Sequence, residues 1–403
     1  MSGKKAKKER EQTRIGVRLA EIFNGIETRR ATHISYETTT IIFIVILALA
    51  EKEFGWTAFA DVIKNQCDFI KESLNIIELP SVHTVRRCVL LFDSEKLTEC
   101  MMNWATSCGK IPDFSTIAID GKHIRSAFKH CQGKNGIHVV SAYATFLKTT
   151  LCQIITNTKD AEIKIIPKIL EYLCIEDKII TIDAAGSYKQ IVEIIVRKKG
   201  HYVLAVKKNQ KLTFEAIEEL FSKKMHSMYA RSPEIAKSKK ALDGYYHQSY
   251  DKGHGRVESR LVVQLPIEYV MDPDIIDKWP NAKTVVCVES IRMKNGLPFQ
   301  SWERRYYITD LPLDPENVSE AIRAHWGIEM MHWQLDVTFL EDLAQISDKR
   351  AIKNLGIFRR YVLNTYAQYP DYKKTFVPNF IRKFILGNDK EFMLNIICGV
   401  RIK

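Results

Sequence analysis

The chain has 403 residues, 46% hydrophobic and 27% charged, with a formal net charge of +12. That length supports two or three domains and a sizeable core, and the composition is ordinary for a folded soluble protein. Nine Cys without a Cys-x-x-Cys pair exclude a zinc ribbon and suit reduced thiols in a cytosolic compartment.

Residues 13–105 read as helical. The run Ile41–Ala50, "IIFIVILALA", is too short for a membrane span and is followed by Glu51-Lys52-Glu53. It lies too far into the chain for a signal peptide, with no basic stretch just before it, so a buried helix is expected and a membrane partner is not. "TAFADVIKNQCDFIKESL" (57–74) places Phe59, Val62, Ile63, Phe69 and Ile70 at helical spacing. "LPSVHTVRRCVLLF" (79–92) opens on Ser81 as a helix cap, and "SEKLTECMMNWA" (94–105) adds another helix. Arg86 and Arg87 on such a unit read as DNA contacts or as ordinary surface charge.

After residue 106 the period changes. Strand-like runs lie at 115–120, 137–146 and 149–157, followed by a helix with one internal Pro at 161–174. A fourth run, 178–183, leads through Gly186 into a helix at 188–200, and a fifth, 201–206, ends at Lys207-Lys208-Asn209-Gln210. Three strands followed by alternating helix and strand describe a mixed sheet flanked by helices. A helix at 213–223 opens a polar stretch to residue 312 with strand signals at 256–264, 283–291 and 302–308. From about 315 the helical pattern returns. From Lys349 to Lys403 the chain is strongly basic, 12 Lys/Arg against 3 Asp/Glu, a net +9 in 55 residues, and it begins "MSGKKAKKER". Such excesses suit a polyanion such as DNA.

Two of the strands stop on an acid. "IAID" ends at Asp120 and Ile180-Thr181-Ile182-Asp183 at Asp183, each followed by small residues. Ligands of open α/β sheets gather beyond the carboxyl ends of strands. Two converging carboxylates repel unless a cation lies between them, and oxygen-only donors suit Mg²⁺ or Mn²⁺. A third carboxylate is expected from "RAHWGIEMMHWQLDVTFLED" (323–342), where Glu329 shares a helix face with His325 and Trp326 and with Asp336 seven residues on. Glu341 and Asp342 are further candidates for that role.

At these residues the chain resembles insertion-sequence transposases of the ISAs1 family, DDE transposases with an RNase H-like core. "IAIDGKHIR" is similar to the family's first-Asp motif, and "TIDAAGSYKQIVEIIVRKKGHYVLAVKKNQ" to its second-Asp block. "GHGRVESR" (253–260) and "RRYYITDL" (304–311) resemble landmarks of its insertion, and "IRAHWGIEMMHWQLDVTFLED" its Glu block. The first hundred residues, with "LPSVHTVRRCV", look like its helical associated domain.

The resemblance covers nearly the whole chain. It implies a helical DNA-binding domain over 1–105, a core in two parts over 106–210 and 313–403, and a β-rich insertion over 211–312. It implies Asp120, Asp183 and Glu329 as the catalytic and metal-binding triad, and two Mg²⁺ or Mn²⁺ ions. Cleavage at transposon ends and strand transfer into target DNA follow from it, as do a homodimer on double-stranded DNA and a bacterial, nucleoid-associated setting. The sequence departs from the pattern at His123-Ile124, where Thr-Leu is frequent, and at Met330, where Asn is usual. Ile322, His325 and Asp336 stand where the broader group carries Tyr, Arg and Lys around the third acid.

Expected DNA contacts are Lys122 and Arg125 after the first acid, and Lys207, Asn209 and Gln210 after the fifth strand. His254 and Arg256 in a glycine-flanked loop are added, with His325 beside the metal and Trp326 stacking on an unpaired base. Two other readings keep these residues: a nuclease of the same fold that never joins strands, and a non-catalytic DNA-binding descendant, for which loss of an acid would be the sign.

Overall fold

A computed structural model describes residues 15–27, 35–124, 137–156, 162–229, 245–253, 256–270, 272–294, 297–343, 346, 348–369, 384 and 389–400. Residues 15–22 are helical, and α1 (Thr38–Ala50), α2 (Trp56–Asn65), α3 (Cys67–Leu74), α4 (Val82–Leu91) and α5 (Ser94–Ser107) follow. Strands β1 (Thr116–Ile124), β2 (Ile137–Ala144) and β3 (Thr149–Thr156) follow. Then come α6 (Glu162–Tyr172), β4 (Ile179–Ile182), α7 (Lys189–Arg197), β5 (His201–Val206) and α8 (Lys211–Tyr229). Strands β6 (Tyr245–Gly253), β7 (Arg256–Pro266), β8 (Thr284–Lys294) and β9 (Leu297–Thr309) precede α9 (Pro315–Trp333), α10 (Lys349–Ala367) and α11 (Lys390–Ile397). The chain divides into one unit of residues 1–111, 121–162 and 329–403, and a second of 112–120 and 163–328.

In the first unit α1 is apolar on every side and is accordingly buried, with Ile41–Ala50 no more than 1% exposed. No helix among the described residues is long and apolar enough to cross a membrane. The helix expected over 57–74 is two helices. Gln66 breaks it with φ −101° and ψ 17°, and its side-chain amide donates to Glu51 Oε1 at 2.6 Å. Ser81 caps α4 as its sequence suggested, its hydroxyl accepting from the Thr84 N–H. Strands lie in the order β3-β2-β1 here, with β2 and β3 antiparallel.

Helix α10 is buried along most of its length and carries polar residues inside. Asn354 accepts from Ser94 Oγ at 2.7 Å and donates to the Val89 carbonyl at 2.7 Å. Asn364 accepts from the Thr150 N–H and donates to the Thr150 carbonyl, both at 2.9 Å, so it docks on β3 as a strand would. Buried polar groups with partners are tolerated where orphans are costly. Arg359 and Arg360 are each 1% exposed, so two of the cations counted after Lys349 face inward.

In the second unit the strand order is β1-β4-β5-β9-β8-β7-β6. β1, β4 and β5 are parallel neighbours, and every later pairing is antiparallel. This is the expected mixed sheet. β9 pairs with β5, Val203 opposite Thr309, so the stretch read as an insertion extends the sheet that carries β4. Val318, Ala321 and Ile322 of α9 pack on Ile179, Val203, Val262, Val286 and Val288. One face of α9 therefore lies across the sheet centre, and burial of that stripe fixes its rotation.

Candidate active site

The register of β1 and β4 sets the acids side by side. Their pairing runs from Thr116 opposite Ile179 to Ile119 opposite Ile182. Asp120 and Asp183 each come one residue later, on strands about 4.8 Å apart. Asp183 ends its strand as expected, but β1 runs on to Ile124, so Asp120 lies within its strand and not at its end. Strand side chains alternate between faces. Ile179 lies under α9 and the Thr181 hydroxyl shares a 2.9 Å hydrogen bond with His325 Nδ1 on α9, so Asp183 belongs to the same face. In-register neighbours share a face, which puts Asp120 there too. Both acids are half-buried.

Asp183 also begins the turn that follows its strand. Its Oδ1 accepts the Ala184 N–H at 2.7 Å, and its carbonyl accepts the Gly186 N–H at 2.9 Å and the Ser187 hydroxyl at 3.2 Å. Gly186 has no room for a side chain: an added Cβ would come within 2.5 Å of Ile166 Cδ1 and 2.7 Å of Ile182 Cγ2. The segment after β5 is clipped to this turn. Lys207 Nζ donates to Asp183 Oδ1 at 2.7 Å, Asn209 Nδ2 to the Ala184 carbonyl at 2.8 Å, and Gln210 Nε2 to the Ser187 carbonyl. Burial pushes Asp183 up, but the Lys207 ammonium, the Ala184 N–H and His325 outweigh it and hold the carboxyl below its ordinary range.

Helix α9 brings three further groups. His325 is fixed by Thr181. Trp326 has two guanidinium groups near its ring, Arg305 at 5.5 Å and Arg323 at 5.8 Å, in a cleft of about 400 Å³ beside β6–β9. Glu329 is exposed and follows His325 by one turn on the stripe 318-322-325-329. Neighbouring Tyr307 is pushed up to about 12, chiefly by burial, with the Asp183 charge adding to it.

Several expected contacts lie elsewhere. Lys122 is 7% exposed rather than presented to a phosphate. Its ammonium pairs with Asp336 at 2.5 Å and Glu341 at 2.7 Å, and Glu341 also accepts from Arg360 at 3.0 Å. Asp336 lies on a π-helical turn, Gln334–Thr338, that follows α9, and its carboxylate is engaged by Lys122. Glu341 is 1% exposed and committed to cations, which removes it as an accessible third acid. Arg86 and Arg87 are exposed on α4, Arg86 at 6.0 Å from the Trp56 ring. Arg125 and His254 fall outside the described residues. Arg256 begins β7, with its backbone opposite Gly253 and Lys294.

Residues 111–364 match the family described as "Transposase DDE domain", and residues 20–105 match the one described as "DDE_Tnp_1-associated". The chain belongs to the DDE-domain transposases. It is 31% identical over 381 residues to YbfL of Escherichia coli (strain K12), covering 92% of this chain and 95% of that protein. H repeat-associated YhhI of the same strain, a transposase by name, gives the same identity and coverage. YncI of Escherichia coli O157:H7, also a transposase by name, is 30% identical, covering 86% of each chain. A solved cryo-EM structure of a piggyBac transposase synaptic complex with hairpin DNA gives a TM-score of 0.41 at 10% identity, over 95% of this chain and 81% of that one, too slight a likeness to argue from.

For a DDE-domain transposase the donor chemistry of Asp120 and Asp183 fits a hard divalent cation. Two carboxylates offer oxygen alone, and Asp183 stays ionised at neutral pH and already attracts a cation, the Lys207 ammonium. Among the described residues no group of three or more His, Cys, Asp or Glu is arranged to hold a metal ion. Thr181 and Tyr307 escaped the sequence reading. Thr181 sits two residues before Asp183 on an alternating strand, a position that faces whatever the acid faces. Asn209 and Gln210 were read as DNA contacts, yet they bond the backbone of the Asp183 turn.

Proposed function

We propose that this chain, a DNA transposase, uses Asp120, Asp183 and Glu329 as its catalytic acids. The observation that carries the reading is that Asp120 and Asp183 each lie one residue beyond the paired segment of the neighbouring parallel strands β1 and β4, in a DDE-domain chain. Glu329 is assigned because it continues the α9 stripe whose preceding turn carries His325. The three acids would hold Mg²⁺ or Mn²⁺, two ions in the expected complement, and these supply positive charge at the reacting phosphate. His325, fixed by Thr181, contributes positive potential beside Asp183 when protonated. Lys207 neutralises Asp183, while Arg323 and Trp326 offer a cation and a ring face to a DNA strand. With the acids and cations held in place, positioning and charge neutralisation carry the rate.

The substrates in this reading are double-stranded transposon ends with inverted repeats and a target duplex, handled by a homodimer in the bacterial cytoplasm. We place the chain in the ISAs1 branch on its motif blocks, with residues 1–105 as the DNA-binding helical domain. Short terminal inverted repeats bracketed by a direct duplication around the gene would support that placement.

Replacing Asp120 or Asp183 by Asn, or Glu329 by Gln, is expected to lower Mg²⁺-dependent cleavage of end DNA by about 10²–10³-fold or more. DNA binding in a gel-shift assay should be retained. An Asp120→Asn protein that still cuts would sink the assignment. Pre-cleaved ends offered with a target plasmid separate a transposase, which joins them, from a nuclease, which does not.

A further inference from the structure

We infer that the Lys207 ammonium is a displaceable counter-ion of Asp183, which holds the carboxylate in the absence of a divalent cation and gives up its place when one binds. This rests on the reading of Asp120 and Asp183 as a cation site. The geometry separates a fixed part from a movable one. Asn209 and Gln210 bond the carbonyls of Ala184 and Ser187, so the backbone after β5 is anchored beside the acid's turn. The lysine stem is not anchored. Its side chain is 60% exposed and that of Asp183 45% exposed, so the ammonium can swing into water without opening a packed core. Lys122 is the opposite case, 6% exposed and enclosed by acids.

Charge decides the exchange. A solvent-exposed lysine–carboxylate pair is weak, and a doubly charged ion shared with Asp120 attracts Asp183 more strongly than a single ammonium does. Asp183 Oδ1 keeps the Ala184 N–H through the exchange, so its orientation survives loss of the lysine. The released ammonium has a second anion nearby, since its charge already reaches Glu303. The site would thus keep its acid ionised and oriented before the metal arrives, at the cost of a modest competition for it.

The test is amine labelling of the intact chain with an acylating reagent, read by mass spectrometry with and without Mg²⁺ or Mn²⁺. Lys199 is the internal control, an exposed lysine paired with Glu176 at 2.9 Å and no second acid in that ion pair. Lys207 labelling should rise roughly two- to five-fold on adding metal, with Lys199 unchanged, a range set by the usual strength of exposed pairs. In Asp183→Asn protein Lys207 should label freely and ignore metal. Calorimetry should find Mn²⁺ bound about two- to five-fold more tightly by Lys207→Met protein. Metal binding to the wild type with no change at Lys207 overturns this inference and leaves the cation site standing. No binding of either ion overturns both.

Discussion

Two residues beyond Asp120 on β1, Lys122 faces Glu341 at 2.7 Å, and Glu341 faces Arg360 at 3.0 Å, all buried. Burial pushes Glu341 up, but Arg360, Lys122 and Arg359 together hold it far below the ordinary carboxylate range. Burial draws Arg359 down to about 10, against the pull of Glu341, with Arg360 lowering it further. Three cations thus act on Glu341, and Arg359 also lies 5.3 Å from the Phe54 ring. Removing one partner of a buried pair leaves an uncompensated charge in a medium that solvates it poorly. Glu341→Gln should therefore lower stability by about 3–5 kcal/mol in urea denaturation. Lys122→Met should cost less in the Glu341→Gln background than in the wild type, and equal costs in both would show that the pair is not coupled.

At the scale of elements, the end of α1 carries a pH dependence. Glu51 is the C-cap of that helix, where the backbone dipole disfavours negative charge. Burial raises its pKa from 4.5 to about 7; the Gln66 hydrogen bond opposes that rise and Glu53 adds to it. A raised acid stabilises the fold fully below its unfolded value and loses that contribution as pH rises through the folded one. Glu51→Gln should be near neutral at pH 5 and stabilising by about 1–2 kcal/mol at pH 8, a figure reduced for partial exposure. Thermal melts at the two pH values check it, and an equal effect at both would refute it. Much at this scale was legible in the sequence: β1, β4 and β5 from their apolar, β-branched-rich runs, α4 from Ser81, α1 from its length. Other features were not. β6, "YYHQSYDKG", is polar because it is the edge strand and buries little, so no alternation marks it. The break at Gln66 and the π-helical turn at Gln334–Thr338 leave apolar spacing almost untouched. The inward turn of Lys122 depends on an acid 219 positions away, which no local pattern reports.

For the whole molecule the relevant quantity is where its net +12 is available. Lys122, Arg359 and Arg360 are spent inside, and Arg260 and Arg305 in the cleft are matched by Asp251, Glu258 and Glu303. Affinity for a phosphate backbone must then come from cations without such partners, and Arg86 and Arg87 stand exposed together on α4. Each neutralised phosphate releases counter-ions and contributes about −0.9 to the slope of log K against log salt. With about six contacts, binding to duplex DNA should weaken about a thousand-fold between 50 and 200 mM salt. The Arg86→Ala/Arg87→Ala pair should reduce that slope by up to about two and weaken binding evenly across sequences. Filter binding over a salt series measures both. An unchanged slope would remove α4 from the DNA interface, and affinity independent of salt would remove the polyanion from the account of this chain's charge.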